Sequence, residues 1–546
     1  MSGERTAVCI VGGGPAGLVL ALELGRRGVS CIVFEEKEGP PTFPKANSTT
    51  SRTMEHYRRL GIADEIRPLG LPDEYAPDIS YHTRYARHEL ARLHWPSRAE
   101  ALRSRHQYDP HWPTPEPVHR AQQMLIEPVL KRHAERLPAI DLRFGWRVEE
   151  IAQDTDGVRL RARELSTGRV TEFRADYAVG CDGPRSLVRE ALGIRYAGIG
   201  AEDGDFMGGR MLAVHLDAPA FYDTVPVSRS WQHWALNRAR SGILIAIDGR
   251  GRFVFHTQLP RGYAGTLDYA RSSLALAAGC DFPYKILGIA EWTAGFTLVA
   301  ERYGAGRIFL AGDAAHLFTP LGGLGMNTGI GDVMNLCWKI AARYQGWAGD
   351  GLLATYEQER RPIGLRNVQL GVACTRVMDG WKVPPDFESD SLAMQAEREK
   401  FGARIVEEDR AQYLTVGIQL GERYEGSPIV VPDTTPAPPD RWDHYDPIDR
   451  PGARAPHVWL MPQRALFDQF GLGFTLIDFV GSTDTSSLEE AARKRGVPLK
   501  ILSLPDAPDH PYTKPLVLVR PDGHVAWHGD ELPNPFALVD RIRGAA

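Results

Sequence analysis

The chain has 546 residues, which is too long for a single compact core and predicts two or three domains. Its 43% hydrophobic and 24% charged residues are typical of a soluble globular protein. Because 64 Lys and Arg residues are balanced by 69 Asp and Glu residues, at a net charge of -5, neither nucleic acid nor an anionic membrane is expected as the main partner.

The sequence also bears on location and on metal binding. No apolar run approaches the length of a membrane span, and the first predicted strand begins by Ala7, which leaves no room for a cleaved signal peptide. We therefore expect a cytoplasmic protein. The six cysteines are scattered, without a C-x-x-C pair or the spacing of metal ligands. They predict buried free thiols and no metal site.

The first element is a strand that runs directly into a glycine-rich turn. Residues 7–11 are almost wholly apolar, as expected of a parallel strand buried on both faces. Residues 12–17 follow with the pattern G-x-G-x-x-G. Gly12 permits the tight turn, Gly14 lets the backbone approach a pyrophosphate, and Gly17 lets the next helix pack closely on the strand.

A helix and a second strand complete this unit. The helix, residues 18–27, would direct free N–H groups and its positive end towards the phosphates. The strand, residues 30–34, ends in Glu35, where a carboxylate can accept hydrogen bonds from ribose hydroxyls and would repel a 2′-phosphate. The sequence therefore predicts a dinucleotide site, although this pattern alone does not choose between FAD and NAD.

The remaining chain returns to nucleotide-binding patterns after two interruptions. Residues 81–117 are rich in His, Arg and Pro and lack periodicity, so we expect an irregular insertion on the substrate side. From about Phe206 to residue 297 the composition changes to short β runs, which predicts a separate sheet. The predicted organisation is a nucleotide domain in three parts (1–80, 118–200 and 299–427, the last with a helical segment), the insertion (81–117), a substrate-binding β-sheet domain (201–298), and a linker with a small α/β module (428–546).

Three stretches together resemble the class A flavoprotein aromatic hydroxylases, the single-component monooxygenases of the para-hydroxybenzoate and phenol hydroxylase type. They are the turn at 12–17, the segment Cys-Asp-Gly-Pro-Arg-Ser-Leu-Val-Arg at 181–189, and the glycine-rich segments at 312–320 and 322–329. The resemblance implies an α/β protein with a Rossmann-like FAD-binding domain, an inserted β-sheet substrate domain and a thioredoxin-like C-terminal domain. The tail, however, lacks the cysteine pair of redox thioredoxins, so we expect a structural role or dimer contacts for it.

The resemblance also implies which residues bind non-covalent FAD. Asp313, at the end of a strand, would accept hydrogen bonds from the ribityl chain, and the helix after the glycine-rich turn would stabilise negative charge on the reduced ring. Arg52 and Gln123 match family residues near the flavin phosphates, with surface helix positions as the alternative. The implied set is Gly12, Gly14, Pro15, Ala16, Gly17, Glu35, Arg52, Gln123, Val148, Asp182, Asp313, Gly322, Gly325, Met326 and Asn327.

Only one dinucleotide turn is present, so the resemblance implies that NAD(P)H binds transiently where residues 182–189 meet the flavin. For Asp182 and Arg185 the alternative is a salt bridge within a structural turn. For His316 a packing role is favoured over a role as a base. Reduced FAD would then react with O2 to give a C4a-hydroperoxide, which hydroxylates an electron-rich ring such as a phenol.

Asn47 and Pro320 are the candidate catalytic residues. Holding a phenol of pKa about 10 ionised at neutral pH costs roughly 4 kcal/mol unless the site offsets it. Related phenol hydroxylases keep an acid or histidine where this chain has Asn47, so we expect Asn47 to orient the substrate ring without accepting its proton.

For the substrate wall, the aromatic stretch 230–234 offers Trp231, His233 and Trp234, with alternating core packing as the alternative. Three other functions stay open at this point: a flavin reductase, a halogenase of the same fold, and a non-catalytic FAD protein. The W-x-W-x-I-P motif of flavin-dependent halogenases is not found in the sequence.

Overall fold

The computed structural model describes residues 4–104, 111–200 and 207–546. Residues 105–110, in the predicted insertion, and residues 201–206, at the predicted start of the substrate sheet, lie outside the described residues. The mixed α/β architecture predicted from the sequence is confirmed. None of the helices in the described part is long and apolar enough to cross a membrane.

The strands are β1 (Glu4–Val11), β2 (Cys31–Glu35), β3 (Ile79–His82), β4 (Glu89–Leu93), β5 (Ile140–Phe144), β6 (Trp146–Gln153), β7 (Val158–Glu164), β8 (Val170–Gly180), β9 (Tyr196–Ile199), β10 (Gly209–Asp217), β11 (Gln232–Ala235), β12 (Gly242–Ala246), β13 (Arg252–Gln258), β14 (Lys285–Ala294), β15 (Thr297–Ala300), β16 (Gly304–Ala305), β17 (Ile308–Leu310), β18 (His316–Leu317), β19 (Trp459–Met461), β20 (Arg464–Ala465), β21 (Phe474–Asp478), β22 (Leu499–Ser503), β23 (Leu516–Val519) and β24 (Val525–Gly529).

The α-helices are α1 (Pro15–Arg26), α2 (Ser51–Leu60), α3 (Ala63–Ile66), α4 (Arg98–Arg103), α5 (Gln123–Glu135), α6 (Leu187–Ala191), α7 (Phe221–Thr224), α8 (Leu267–Ala278), α9 (Gly325–Tyr344), α10 (Thr355–Asp379), α11 (Leu392–Asp409), α12 (Val416–Leu420), α13 (Ser486–Arg495) and α14 (Pro535–Ile542). Short 3-10 helices cover Gly312–Ala314, Leu321–Gly323, Arg410–Gln412 and Leu466–Gln469.

The first sheet brings together strands from three distant parts of the chain. Its order is β16-β17-β8-β1-β2-β5, with β7 paired to β8 and β6 paired to β7. The central strand β1 runs parallel to both β2 and β8, and its last six residues are buried. A strand covered on both faces is stabilised by apolar residues throughout, which explains the continuous apolar run at this place. Helices α1, α5 and α9 pack together on this sheet.

The second sheet has seven strands in the order β14-β10-β13-β12-β11-β3-β4. Strands β3 and β4 lie at its edge, where β3 pairs in parallel with β11 and antiparallel with β4. The prediction that residues 81–117 are irregular is therefore wrong for β4 and for helix α4, which begins with a capping box formed by Ser97 and Glu100. β4 was missed because it is a short edge strand with little local signal, and because its partner β3 is itself held in the sheet by β11, about 150 residues away along the chain.

The C-terminal part contains a four-stranded sheet, β22-β21-β23-β24, with helices α13 and α14 packed against each other. We call residues 458–546 the tail module. It shares a hydrophobic core with the first sheet, because Phe474 of β21 contacts Trp338 of α9 and Trp347 edge-on, at centroid distances of 5.8 and 6.4 Å. The predicted small α/β module is thus packed against the nucleotide domain.

A buried ionic cluster adds to this contact. Both carboxylate oxygens of Glu359, on α10, accept hydrogen bonds from Arg520, at 2.7 and 2.8 Å, and Lys339 of α9 donates to Glu359 at 2.6 Å. Arg520 also donates to Asp522 at 2.6 Å. Burial alone would raise the pKa of Glu359, but the charges of Arg520 and Lys339 outweigh it and lower that pKa to about 2. The cluster therefore holds paired charges whose side chains are buried.

We expect Arg520→Met to lower the free energy of unfolding by about 3–5 kcal/mol, because it leaves buried carboxylates without their cation. Urea unfolding followed by tryptophan fluorescence measures this change. Arg495→Met is the matched control, since it breaks a partly exposed pair with Asp540 and should cost about 0–1 kcal/mol. Equal stability of the two variants would contradict the prediction.

Candidate functional site

The turn after β1 contains crowded glycines and an open one, Gly14. Gly12 has φ +107°, and a Cβ there would lie 2.2 Å from the carbonyl oxygen of Cys181. A Cβ at Gly17 would lie 2.0 Å from the carbonyl oxygen of Gly12. Around Gly14, in contrast, a Cβ would meet nothing within 4 Å. The turn is therefore packed on its protein side and open at Gly14.

Helix α1 begins directly at this open side. Gly14 is its N-cap and has no side chain that could cap the helix, and Pro15 takes the first helical position, where its missing N–H costs nothing. Ala16 is half-buried beside it. The first N–H groups of a helix lack partners within the helix, so this end offers hydrogen-bond donors and a positive field to an anion.

Glu35 stands at the end of β2, beside the same turn. One of its carboxylate oxygens accepts from the backbone N–H of Gly13 at 2.9 Å, and the other accepts from the N–H of Lys37 at 3.0 Å. These bonds orient the carboxylate, and each oxygen keeps a lone pair for a further donor. A pair of ribose hydroxyls next to Gly13 would find acceptors there.

Gln123, Arg52 and Val148, three of the predicted cofactor-binding residues, differ in what they contact. Gln123 donates its side-chain N–H to Glu127. Burial raises the pKa of Glu127 to about 7, and the negative charge of Glu35 adds to this effect. The start of helix α5 therefore lies near Glu35. Arg52 instead bonds Glu55 at 3.0 Å and the Asp522 carbonyl at 2.7 Å, so it docks the tail module. Val148 is buried in β6.

A second group of residues follows β17. The N–H of Gly312 donates to Asp332 at 3.2 Å, and the same carboxylate accepts from His316 at 2.6 Å and from Arg360 at 2.9 Å. His316 is fully buried and stacks on Phe318 at 4.7 Å. These contacts hold the segment from 312 to 316 in place and give His316 a positioning role.

Asp313, the residue after Gly312, is exposed. Its side chain has exposed surface, and the protein around it raises the pKa of its carboxyl by loss of hydration, an effect that His316 and Lys45 oppose. Pro320, at the end of this segment, is exposed and precedes the 3-10 helix of the glycine-rich turn. Asp313 is thus a hydrogen-bonding group that the fold itself leaves available.

Helix α9 begins at Gly325, after the turn in which Gly322 has φ +76°. Its N-cap, Leu324, makes no side-chain cap hydrogen bond. The backbone N–H groups of Gly325 and Met326 therefore start an uncapped helix, whose positive end is directed towards the turn.

The side chain of Asn327 is used within the protein. Its amide N–H groups donate to the carbonyls of Ser48 and Gly323, at 2.9 and 2.7 Å, and its oxygen accepts from the N–H of Thr50 at 2.9 Å. Asn327 therefore fastens the segment 47–50 to the start of α9. Asn47, the predicted substrate-orienting residue, is half-buried in that segment.

The Asp-Gly turn after β8 is built from short hydrogen bonds. Asp182 accepts from the hydroxyl of Ser186 at 2.6 Å and from the N–H of Val188 at 3.2 Å, and burial raises its pKa. Arg185 is exposed. The carboxylate is therefore engaged by the turn's own donors, and the alternative of a salt bridge to Arg185 does not occur.

Of the predicted substrate wall, His233 and Trp234 lie in the core. His233 is fully buried between the hydroxyls of Ser80 and Tyr222, at 2.9 and 3.0 Å, and burial lowers its pKa well below the usual range. Trp234 is 1% exposed and stacks on Tyr81 at 5.8 Å. Their prediction as pocket residues is corrected to core packing, because β11 is an inner strand covered on both faces.

Trp231, just before β11, has a different neighbour. The guanidinium carbon of Arg120 lies 3.7 Å from the centre of its ring, and the same guanidinium donates a hydrogen bond to the hydroxyl of Ser48. The second sheet thus meets the segment 47–50 through Arg120. Sequence reasoning missed Arg120, whose only local signal is its place three residues before Gln123.

Together, these groups fit a dinucleotide that extends from the first turn to the start of α9. The open Gly14 and the start of α1 suit phosphates, and Glu35 suits a ribose. Asp313 and the uncapped start of α9 suit a hydroxylated chain and a ring that gains negative charge. In the described residues no group of His, Cys, Asp and Glu side chains is arranged to hold a metal ion.

Comparisons with known proteins agree with this geometry. Residues 5–370 match the family described as FAD binding domain, and residues 449–545 match aromatic-ring hydroxylase, C-terminal. The chain is 35% identical to the FAD-dependent monooxygenase apdD of Emericella nidulans, over 96% of this chain and 88% of the relative. It is 33% identical to aklavinone 12-hydroxylase DnrF of Streptomyces peucetius, over 83% of this chain and 86% of the relative.

Solved structures are similar over the whole chain. The rebeccamycin biosynthetic enzyme RebC with reduced flavin has a TM-score of 0.87 and 33% identity, and the match covers 100% of both chains. A ternary complex of aklavinone-11 hydroxylase with FAD and aklavinone has a TM-score of 0.80 and 28% identity, and covers 99% of both chains. The chain therefore belongs to the class A FAD-dependent aromatic hydroxylases, and it is an FAD-dependent monooxygenase.

Proposed function

We propose that this enzyme uses NAD(P)H and O2 to hydroxylate a phenolic ring of a small, fused aromatic substrate. One observation carries the proposal: Arg120 joins Trp231 of the substrate sheet to Ser48, which Asn327 fastens to the start of α9. A ring held beside Trp231 would therefore lie next to the place that suits the flavin ring. The relatives named aklavinone hydroxylases support an aromatic substrate of this class.

We assign non-covalent FAD to the residues that the structure leaves open. Gly14 and the first turn of α1 would hold the pyrophosphate, Glu35 the adenosine ribose, and Asp313 the ribityl hydroxyls. The N–H groups of Gly325 and Met326 would stabilise negative charge on the reduced ring. Bound FAD, once reduced, supplies the activation of O2 that hydroxylation needs.

The protein's part in the reaction is to orient the ring and to exclude water. Asn47 can donate hydrogen bonds to a phenolic oxygen but cannot take a proton near neutral pH. A ring held at the right distance and angle reacts far faster than one that moves freely, and a dry site prevents the loss of reactive oxygen to water. We assign orientation to Asn47 together with Pro320.

We further propose that NAD(P)H binds transiently near Asp182 and Arg185, since the sequence contains one dinucleotide turn. The thioredoxin-like tail module would be structural and available for dimer contacts, because no cysteine follows Cys374. Consumption of NAD(P)H is consistent with a cytoplasmic enzyme.

We expect NAD(P)H oxidation to be slow in the enzyme alone and much faster when a suitable phenol is added. Stopped-flow absorbance of the flavin measures the reduction rate, and labelled O2 shows whether one oxygen atom enters the product. Each phenol is compared with its methyl ether, which lacks the hydroxyl. Equal flavin reduction rates with and without every member of a broad phenol panel would count against the proposal.

Gly14→Ala and Gly17→Ala should separate cofactor binding from folding. The Cβ at Gly14 meets only open space, so the fold should stay intact while FAD binds about ten- to hundredfold more weakly, as for a lost charged hydrogen bond. The Cβ at Gly17 meets a carbonyl at 2.0 Å, so it should destabilise the protein by about 1–3 kcal/mol or more. FAD titration and denaturant unfolding of the FAD-free protein measure both effects. Full FAD affinity in Gly14→Ala would remove this turn from the site.

Asn47→Ala should raise the free energy of the transition state by about 1–3 kcal/mol and so lower kcat/KM, because the variant enzyme loses a hydrogen bond to the ring. Hydrogen peroxide release should rise, since a loosely held ring misses the reactive oxygen. No ionisation should disappear from the pH profile of kcat/KM, whereas Asn47→Asp should add or shift one. If Asn47→Ala leaves coupling and kcat/KM unchanged, Asn47 lies outside the pocket.

A further inference from the structure

Arg120 occupies the junction between the nucleotide domain and the second sheet. Its Nη1 donates to the hydroxyl of Ser48, and its guanidinium plane lies over the ring of Trp231 at 3.7 Å. Protein surrounds the side chain of Arg120, yet part of its surface stays accessible. This combination is expected of a residue that lines an internal cleft. It therefore lies where the substrate and the flavin ring would meet.

Arg120 differs from other buried arginines of this protein in its lack of a carboxylate. Arg360 pairs with Asp332 and Glu422, Arg454 pairs with Glu55, and Arg520 pairs with Glu359. Within the described residues, no Asp or Glu lies within ion-pair distance of Arg120. A cation in such surroundings loses hydration without gaining a counter-charge, which is costly unless a ligand supplies one.

The free edge of the guanidinium indicates the shape of that ligand. Nη1 is used by Ser48, while Nε and Nη2 have no hydrogen-bond acceptor among the described residues. Both atoms keep accessible surface, since neither is among the fully buried polar atoms. Nε and Nη2 form one edge with two parallel donors, which matches the two oxygens of a carboxylate better than a single oxygen.

The electrostatic setting agrees with an anion site. Burial lowers the pKa of Arg120 to about 10, and the nearby Tyr413 is the group that opposes this shift. The guanidinium thus stays charged at neutral pH. Tyr413 also lies edge-on to Trp231 at 6.2 Å and donates to Gln232 at 2.8 Å. Polar and aromatic side chains therefore border the cation, and no acid of the described ranges pairs with it.

We propose that Arg120 binds a carboxylate carried by the aromatic substrate, with the Nε and Nη2 donors on its two oxygens, and so selects for aromatic acids. This inference rests on the proposed aromatic hydroxylation and adds a substrate class to it. The carboxylate would anchor one end of the ring system beside Trp231, which leaves Asn47 to orient the hydroxyl that is attacked.

The test is equilibrium binding to the FAD-loaded enzyme, without NAD(P)H, followed by the change in the flavin absorption spectrum. The probes are hydroxybenzoate, hydroxynaphthoate and hydroxyanthracene carboxylate, each compared with its methyl ester. The wild-type enzyme should bind at least one acid about ten- to hundredfold more tightly than its ester, as expected for hydrogen bonds to a charged group. Because no turnover is involved, failure of substrate-stimulated NAD(P)H oxidation would contradict the hydroxylase proposal without affecting this result.

Arg120→Gln should reduce the preference of acid over ester to about twofold or less and leave the FAD dissociation constant unchanged. Arg120→Lys, which keeps the charge but lacks the fork, should retain a smaller preference and serves if Arg120→Gln does not fold. Arg195→Gln is the matched control, because Arg195 is an exposed arginine paired with Glu301, and it should leave the preference unchanged.

Four results would overturn the proposal. The first is equal binding of acid and ester by the wild-type enzyme, or no binding, for all three pairs. The second is an acid preference that survives in Arg120→Gln. The third is a loss of FAD affinity in Arg120→Gln that matches its loss of probe binding, which would make the flavin the ligand of Arg120. The fourth is tighter binding of both the acid and its ester above the pKa of the phenol. Arg120 would then bind a phenolate and not a carboxylate.

Discussion

One buried carboxylate, Asp332, holds in place the part of the chain that would meet the flavin. It accepts hydrogen bonds from the N–H of Gly312, from His316 and from Arg360, and all three side chains of this network are fully buried. A buried carboxylate is stable only when its oxygens are matched by donors, so the three donors are held in one arrangement. That arrangement leaves Asp313, the next residue after Gly312, with its side chain free to bind a ligand.

Helix α10 carries this constraint to the tail module. Arg360 faces Asp332 and the site, whereas its neighbour Glu359 faces Arg520 in the module. Two adjacent residues on one helix therefore take part in two separate buried ion networks. Displacing the module would separate Arg520 from Glu359 and leave buried charges unpaired, which is costly. The docked module therefore stabilises helix α10, which supports the site. This gives a physical reason for a cysteine-free module that stays docked on the nucleotide domain.

The second sheet shows where sequence reasoning reached its limit. The region of strands β10 to β14 was anticipated as a sheet from its short β runs, whereas β4 lies in the stretch 81–117 that was predicted to be irregular. β4 pairs with β3, and β3 pairs with the distant β11, which no local pattern reveals. The same limit applies to the aromatic stretch before and within β11: the pattern suggested three pocket residues, and the fold places His233 and Trp234 in the core and Trp231 under Arg120.

The sequence by itself determined the nucleotide turn, the carboxylate at Glu35 and the membership of the hydroxylase family, because each depends on residues that are close along the chain or on motifs in a set order. Only the tertiary structure decided which charges are paired. Asp332, Glu359 and Arg120 look alike in sequence as single charged residues among ordinary neighbours. Among the described residues the first two find counter-charges and the third does not. That difference arises only when separate segments, 28 residues apart for Asp332 and Arg360 and 161 apart for Glu359 and Arg520, come together and are buried.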